Sequence, residues 1–405
     1  MFLIYVVRHK FNRLMKNILS LFICLALCST GYGQSTISLD EFLKNSITPY
    51  LSTTPSSSIR FKPSWLDQID FRTQTDEFEP DRQQYTFRFT PSSAGVRKAQ
   101  KRLFQLSEEQ ALDEQNNLQW NYIEETYEAI LDLYELSRKI AIKEELLSVL
   151  SDKEQVYTKL IQAGQSLPKE WISTQQAIAQ LQVEIFQHKE WLQTLSTPEQ
   201  TIDWSSLVAA DSIARLVERL NKADNFVFDK KTRSLDIQII DSEIQLKKAE
   251  GRKIFDFFQV EYRGPTDKTL EEKVSLTAAF QFPFSNKRKL QVATLAIEKE
   301  IAQEKAMARQ EWNEHRVQKL IQRLQLHTKE LAFRQEVEDQ QNQQASALIQ
   351  DAVTTPLLAL GQQEKALERQ LDLLKVELQI YHTYLDYLEL TERLYQLPLQ
   401  NYLSL

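Results

Sequence analysis

The sequence predicts a mainly α fold with a small β part: two long α-helical coiled-coil hairpins and four β-strands per chain that contribute to an oligomeric transmembrane β-barrel. Three observations point there. One pattern occurs twice, with two alternating strands, a very long helix, a sharp break and a helix running back. The helical stretches are rich in Gln, Glu, Lys, Leu and Ala, and seven glycines in 405 residues leave few interruptions. An export signal precedes both copies. From Arg97 to the break at Gly164 is 67 positions, and from Arg288 to the break at Ala352 is 64. At ~1.5 Å per residue each arm would reach about 100 Å, whereas an ordinary globular helix has ~12 residues. Hairpins of that length bridge distance; an enzyme core has no need of them.

Residues 1–33 read as a signal peptide. Arg8, Lys10, Arg13 and Lys16 precede the apolar run Ile18–Leu27, and Gly31-Tyr-Gly33 supplies small residues before a cut at Gln34. A start at Met1 or at Met15 leaves a serviceable leader. The run is shorter than the ~20 residues of a membrane-spanning helix, and no later segment qualifies. Both cysteines, Cys24 and Cys28, lie in the leader. Leu25-Ala-Leu-Cys28 superficially suggests a lipid-attachment box, but Leu27 is bulky where a small residue is wanted. Removing the leader takes away four basic residues and no acids, which moves the net charge from −7 to −11. Such an acidic chain is not a general nucleic-acid binder, because that role needs cations to neutralise phosphate.

Residues 34–63 form an N-terminal segment that is partly loop, since Asn45–Pro63 is rich in Ser, Thr and Pro. The first β-hairpin spans 64–91, with strands near Ile69–Thr75 and Gln84–Thr90. There Tyr85, Phe87 and Phe89 share one face while Thr86, Arg88 and Thr90 share the other. The second β-hairpin spans 254–284, with strands near Phe255–Arg263 and Lys273–Phe282. Phe258, Val260 and Tyr262 oppose Gln259, Glu261 and Arg263; Val274, Leu276, Ala278, Phe280 and Phe282 alternate with Ser275, Thr277, Ala279 and Gln281.

In a soluble sheet the apolar set would pack on a core, but the helices leading away are too long and amphipathic to fold back as lids. The barrel reading instead turns Val274, Leu276, Phe280 and Phe282 toward lipid, with Trp65, Tyr85, Tyr262 and Phe284 as interfacial aromatics. Four strands cannot close a barrel, the smallest having about eight, and open edges are not tolerated in hydrocarbon. Oligomerisation follows. Two chains would supply eight strands and three would supply twelve.

The helical hairpins occupy 96–195 and 286–395. Ile123, Tyr127, Ile130 and Tyr134 follow a 4-3-4 spacing and Leu133, Ile140 and Leu147 recur at sevens; in the second copy Leu320, Leu324 and Leu331, four and seven apart, continue the coiled-coil patterning. The return arms, Trp171–Leu195 and Leu357–Leu394, supply the partner stripe, and their aromatics read as packing. Between the copies, 196–228 is an intervening equatorial segment with a short helix near Ser206–Leu220, and 229–253 is a helix entering the second strand pair. Residues 396–405 form a C-terminal tail. The five mature glycines fall at or near corners, where tolerance of positive φ is useful.

Several of these segments resemble TolC-like outer-membrane efflux proteins. Arg233-Ser-Leu-Asp-Ile-Gln-Ile-Ile-Asp-Ser-Glu-Ile-Gln-Leu-Lys-Lys-Ala-Glu-Gly-Arg-Lys253 looks like that family's helix into the barrel. Val274–Phe282 with Pro283, then Asn286-Lys-Arg-Lys-Leu-Gln291, is similar to its strand-to-helix exit. Ile161-Gln-Ala-Gly164 with Ser166, and Leu348-Ile-Gln-Asp-Ala-Val-Thr-Thr355, resemble its hairpin tips, and Ser38-Leu-Asp-Glu-Phe-Leu43 its opening segment. The resemblance covers most of the mature chain through loose motifs. It implies a homotrimer with a twelve-stranded barrel in the outer membrane and a helical tunnel extending into the periplasm. It also implies that the tips dock a periplasmic adaptor protein and an inner-membrane pump, through Ala163, Gly164, Ser166 and Pro168 on the first and Asp351, Thr354, Thr355 and Pro356 on the second. Two departures stand out. The family's helix before the first strand is missing or much reduced. Acids that commonly narrow the family's tunnel entrance are absent from the second tip, where Leu358 and Gly361 fall, leaving Glu170 on the first tip as the candidate entrance residue.

No catalytic chemistry, metal site or cofactor is expected. The mature histidines, His188, His315, His327 and His382, are isolated, and neither an HExxH-type spacing nor a Gly-rich phosphate loop occurs. Glu124-Glu125 and Glu144-Glu145 read as solvated helix faces or i,i+4 partners of Lys. The leading expectation is an exit duct of a tripartite efflux or secretion system. The alternative is a periplasmic coiled-coil adaptor or scaffold with a small soluble sheet. An adaptor would normally insert one hairpin into a Gly-rich β domain, and two hairpins with two strand pairs count against it.

Overall fold

The computed structural model describes residues 35–51, 60–75, 83–165, 167–195, 200–223, 230–264, 273–281, 286–351, 356–395 and 400–404. In chain order these are β1 (Ser35–Ser38), α1 (Leu39–Leu51), β2 (Leu66–Thr75), β3 (Gln83–Pro91), α2 (Ala94–Gln162), α3 (Pro168–Leu195) and β4 (Gln200–Asp203). There follow α4 (Ala210–Ala223), α5 (Lys230–Gly251), β5 (Phe255–Arg263), β6 (Val274–Phe280), α6 (Asn286–Asp351) and α7 (Pro356–Leu390). Both giant helices are present, with 69 residues in α2 and 66 in α6. The described residues divide into two compact units. One comprises the described residues within Met1–Ser52, Asn121–Asn225 and Val317–Leu405, the other those within Thr53–Trp120 and Phe226–Arg316.

In the first unit, α2 from Asn121 onward buries the 4-3-4 stripe read from the sequence: Ile123, Tyr127, Ile130 and Tyr134 are all buried, as are Leu320, Leu324 and Leu331 of α6. Polar contacts set the pairing of the arms. Lys143 Nζ donates to Glu184 Oε2 at 2.8 Å between α2 and α3, Lys189 pairs with Glu144 at 2.6 Å, and Lys153 reaches Glu364 of α7 at 2.7 Å. Glu144 is therefore held across the hairpin, not by a lysine one turn away. His188, isolated in sequence, has Nε2 3.0 Å from Lys143 Nζ, and burial followed by that neighbouring cation lowers its pKa.

Three tyrosines tie the irregular segments of this unit to its helices. Tyr127 Oη donates to the Gln400 carbonyl at 3.1 Å, Tyr381 Oη to Val208 at 2.7 Å and Tyr384 Oη to Tyr402 at 3.3 Å. Arg393 Nη2 donates to the Leu220 carbonyl at 2.8 Å, in the last turn of α4. Each buried polar tip thus finds an acceptor, without which burial would cost about 1–3 kcal/mol.

The N-terminal segment differs from expectation. The helix α1 runs on through Asn45 to Leu51, where a loop was expected. Its signal is a four-residue spacing, with Leu39, Leu43 and Ile47 all buried, begun by Ser38, whose Oγ accepts from Glu41 N at 3.2 Å. Before it, β1 pairs in parallel with β4, with Ile37 opposite Ile202. The short equatorial helix α4 begins at Ala210, later than Ser206, because Trp204–Ser206 forms a 3-10 turn capped by Asp203, whose Oδ1 accepts from Ser205 N.

Among the acids, Glu124 departs from the solvated reading. It is half-buried, and burial, then the carboxylates of Glu389, Glu128, Glu125 and Asp386, push its pKa up to about 7. A folded-state pKa above the ordinary 4.5 means that the associated stability is complete below pH 4.5 and is lost as pH rises through about 7. Glu124→Gln should therefore raise the thermal midpoint relative to the parent at pH 8 and leave it unchanged at pH 4.5. Thermal scans at both pH values check this; a difference independent of pH contradicts it.

Candidate functional site: sheet faces and hairpin turns

The second unit holds an antiparallel four-stranded sheet in the order β2-β3-β5-β6, so among the described residues β2 and β6 are both open edges. Register aligns the side chains into rows. Phe71 lies opposite Phe87, Phe87 opposite Val260 and Val260 opposite Leu276. On either side run the rows Ile69, Phe89, Phe258, Ala278 and Thr73, Tyr85, Tyr262, Val274. The intervening rows are polar: Asp70, Arg88, Gln259, Thr277 and Arg72, Thr86, Glu261, Ser275. Because strand side chains alternate, one face is mainly apolar, with Thr73 at its edge, and the other mainly polar.

Among the described residues no layer covers the apolar face. Ile69 is 59% exposed, Phe71 54%, Leu276 67% and Phe280 61%. Aromatic contacts run across this face, with Phe71 and Phe87 centroids 4.7 Å apart and Tyr85 and Tyr262 6.4 Å apart. A register shift between Phe255 and Phe257 returns Phe255 to the apolar face, where it meets Phe280 edge-on at 5.5 Å. Phe257 stays on the polar face, its ring covered by the Arg88 guanidinium at 3.5 Å. The strands have 10, 9, 9 and 7 residues, against the ~9–11 of a tilted membrane-spanning strand. Among the described residues no helix is long and apolar enough to cross a membrane.

Of the four strand residues expected on the apolar face, Val274, Leu276 and Phe280 are placed there, and Phe282 lies outside the described residues. Trp65 and the Tyr85–Tyr262 pair stand at opposite ends of the sheet; Phe284 lies outside the described residues.

The described residues of the first hairpin turn show how it closes. Gln165 N donates to the Leu160 carbonyl and Gly164 N to Ile161, both at 3.0 Å, the paired bonds that close a helix through a left-handed residue. Gly164 supplies it, with φ 85°. Pro168 then opens α3, where a missing N–H does no harm. Glu170, exposed in the first turn of α3, also complements the helix dipole there, which is a structural reason for an acid at that position. Ala163 and Gly164 are exposed beside Ile161 and Ile172, which are exposed as well. At the second turn α6 ends at Asp351 and α7 starts at Pro356, with Leu358 exposed nearby. Ser166, Thr354 and Thr355 lie outside the described residues.

Gly361 is not a corner residue: it sits within α7, and among the described glycines only Gly164 has positive φ. A Cβ at either position would meet nothing within 4 Å, so backbone conformation alone decides the cost. Gly164→Ala should destabilise the hairpin by about 1–2 kcal/mol, and Gly361→Ala should stabilise it by about 0.5–1 kcal/mol. Denaturant unfolding of the two variants checks the opposite signs.

No family model matches the sequence, and no curated protein matches it. Solved structures do match its fold. A membrane protein from Pseudomonas aeruginosa superposes with a TM-score of 0.53 at 11% identity, over 80% of this chain and 82% of that one. The outer membrane protein VceC of Vibrio cholerae gives 0.51 at 12%, over 80% and 85%. CusC, described with transmembrane channel formation, gives 0.50 at 12%, over 80% and 82%. At such identities the property held in common is the fold.

Proposed function

We propose that this chain, which has the TolC-like fold, is the protomer of an outer-membrane exit duct that conducts substrates passively from periplasm to exterior. The observation that carries the reading is the uncovered apolar sheet face opposite a mainly polar one. In lipid the first face is satisfied, and in a water-filled lumen so is the second. The two open edges then require further strands, because each unpaired backbone group in hydrocarbon costs several kcal/mol. Three copies supply twelve strands, and the homotrimer is the assembly we adopt.

The helices support self-association as well. Besides its buried stripe, α6 exposes Leu326 and Phe333 at seven-residue spacing, and Leu290 and Ile297 likewise. On α3, Phe186 and Trp191 are exposed, although the sequence reading assigned Trp191 to packing within the hairpin. Neighbouring protomers would cover these stripes. The well-formed turn at Gly164, with exposed Ile161 and Ile172 beside it, suits docking of a periplasmic adaptor that connects to an inner-membrane pump. Glu170 would stand near the tunnel entrance. The energy for transport would come from the pump, and the duct itself needs no catalytic group.

Cell fractionation, followed by mass measurement of the detergent-extracted particle, tests the reading. Recovery in outer membranes at three chains per particle is expected; recovery in the soluble periplasm rejects it. Register also ranks the lipid-facing positions. Leu276 occupies the central row, whereas Phe280 lies at the helix end of its strand. Leu276→Arg should cost about 2–4 kcal/mol and impair insertion, Phe280→Arg about 0–1 kcal/mol, and Thr277→Arg on the polar face should be tolerated. Heat-modifiability of the assembled particle on gels reports all three.

A further inference from the structure

At the end of the sheet where strands pass into helices, the second unit carries a groove of about 820 Å³ between the start of α2 and the end of α5. Lys98, Lys101 and Arg102 line it from α2, Lys248 and Arg252 from α5, and no carboxylate lines it. All five cations are exposed, and among the described residues none has a carboxylate within ion-pair distance. The nearby acids have lysine partners outside the groove: Glu250 with Lys247 at 3.1 Å, Asp67 with Lys253 at 3.2 Å and Asp241 with Lys299 at 2.7 Å. Asp241 also accepts from the groove residue Gln245 at 3.2 Å and lies close enough to feel Lys248. Arg102 Nη2 is anchored by a 3.0 Å bond to Gln238 Oε1. The floor is small, with Gly95 and Ala249 so close that a Cβ on Gly95 would sit 3.5 Å from the Ala249 methyl.

The placement runs against helix electrostatics. An N-terminus carries partial positive charge and favours acids, yet the first turn of α2 has none, and Arg97 and Lys98 stand there instead. The first turn of α6 repeats the choice with Lys287, Arg288 and Lys289, and Arg288 Nη1 donates to the Glu250 carbonyl at 3.1 Å, beside the end of α5. Helix ends that forgo their own acids leave room for an external anion. Ser93 lines the groove too, and its Oγ accepts from Val96 N at 3.2 Å, leaving its hydroxyl proton free to point outward. A volume of this size suits a small ligand or headgroup.

The same end of the sheet carries large exposed apolar side chains. Trp65 is 65% exposed, with its carbonyl accepting from Ser92 N at 2.8 Å, and Ile254, 59% exposed, immediately precedes β5. Cations beside exposed Trp and Ile are the mixture found at the boundary between hydrocarbon and phosphate. We propose that the α2–α5 groove binds a phosphate anion, supplied by the headgroup of an anionic phospholipid. The phosphate chemistry stands on the groove alone, and the lipid source rests on the membrane reading above.

The test uses the full chain purified in detergent, with phosphatidylglycerol, phosphatidylcholine and inorganic phosphate as separate probes. Lipid retention is read by native mass spectrometry and phosphate binding by calorimetry. Combining Lys98→Gln, Lys101→Gln and Lys248→Gln should weaken phosphatidylglycerol binding roughly a hundredfold, about fivefold per charge removed. Phosphatidylcholine retention should not change. Arginine at the same three positions should restore binding, and a control combining Lys169→Gln, Lys222→Gln and Lys329→Gln should bind as the parent does. Inorganic phosphate bound with the same lysine dependence, while phosphatidylglycerol is ignored, overturns the lipid source and assigns a soluble phosphate. Indifference of both anions to the glutamine variant overturns the groove altogether. A chain that fractionates as soluble yet binds phosphate through these lysines sinks the membrane reading and spares the groove.

Discussion

A β-sheet with two unpaired edges and one apolar face carries two separate costs, and each narrows what the rest of the chain can be. The apolar face alone could be satisfied by a lid, and the open edges alone by water. Both together exclude a solitary sheet in either solvent, since water penalises the face and lipid penalises the edges. Residues Ile69 through Leu276 stand in unbroken cross-strand rows, so the face cannot be broken up without altering register, and a one-residue slip would bring the polar rows onto it. Under the proposed function, further copies pair the edges while lipid receives the apolar face, and both costs are relieved together. The exposed stripes on α3 and α6 are then the helical counterpart of the open edges.

The helical unit solves a different problem: its irregular segments around Val208 and Gln400–Leu403 contain no cysteine, so other contacts must fix them. Tyrosine performs that task. Tyr127, Tyr381 and Tyr384 bring large apolar rings into the core while their hydroxyls reach carbonyls at Gln400, Val208 and Tyr402. Val208 N in turn donates to the Leu403 carbonyl at 2.8 Å, so the segment before α4 and the C-terminal tail hold one another. The parallel β1–β4 pair adds a further tie, which fixes the N-terminus where α1 is only 13 residues long.

What could be read from the sequence divides by length scale. Long amphipathic repeats announce themselves: the stripe through Ile123 and Tyr134 recurs often enough to outvote local noise, and the strand faces follow from strict alternation. The turn at Gly164 was legible because a glycine and a proline bracket it. The four-residue strands β1 and β4 were not, since Ser35–Ser38 and Gln200–Asp203 are too short to show a period and meet across a large sequence separation. In α1, the Ser, Thr and Pro content of Asn45–Pro63 obscured the Leu39, Leu43, Ile47 spacing, where tertiary burial overrides weak propensity. The register shift beside Phe255 has no marker beyond three phenylalanines in four positions, which alternation alone cannot place. The basic groove escaped for another reason. Its five cations come from segments separated by about 150 positions, and only the antiparallel packing of α2 against α5 brings them together.

Two local rules are broken where strands become helices, and the proposed membrane boundary would account for both. Large apolar side chains such as Trp65 and Ile254 remain exposed, and both long helices begin with cations against the sense of their own dipoles. In uniform water each would be a separate defect needing its own compensation. At a boundary between hydrocarbon and a layer of phosphate, each becomes the favourable choice, because the apolar groups face the first and the cations the second. A chain crossing that boundary must change its surface chemistry within a few residues. The change here falls between Pro91 and Lys98 on the way out of β3, and between Lys248 and Phe255 on the way into β5. Fold, exposure and charge therefore switch at one level of the second unit, which is the arrangement expected if solvent, not an internal core, dictated all three.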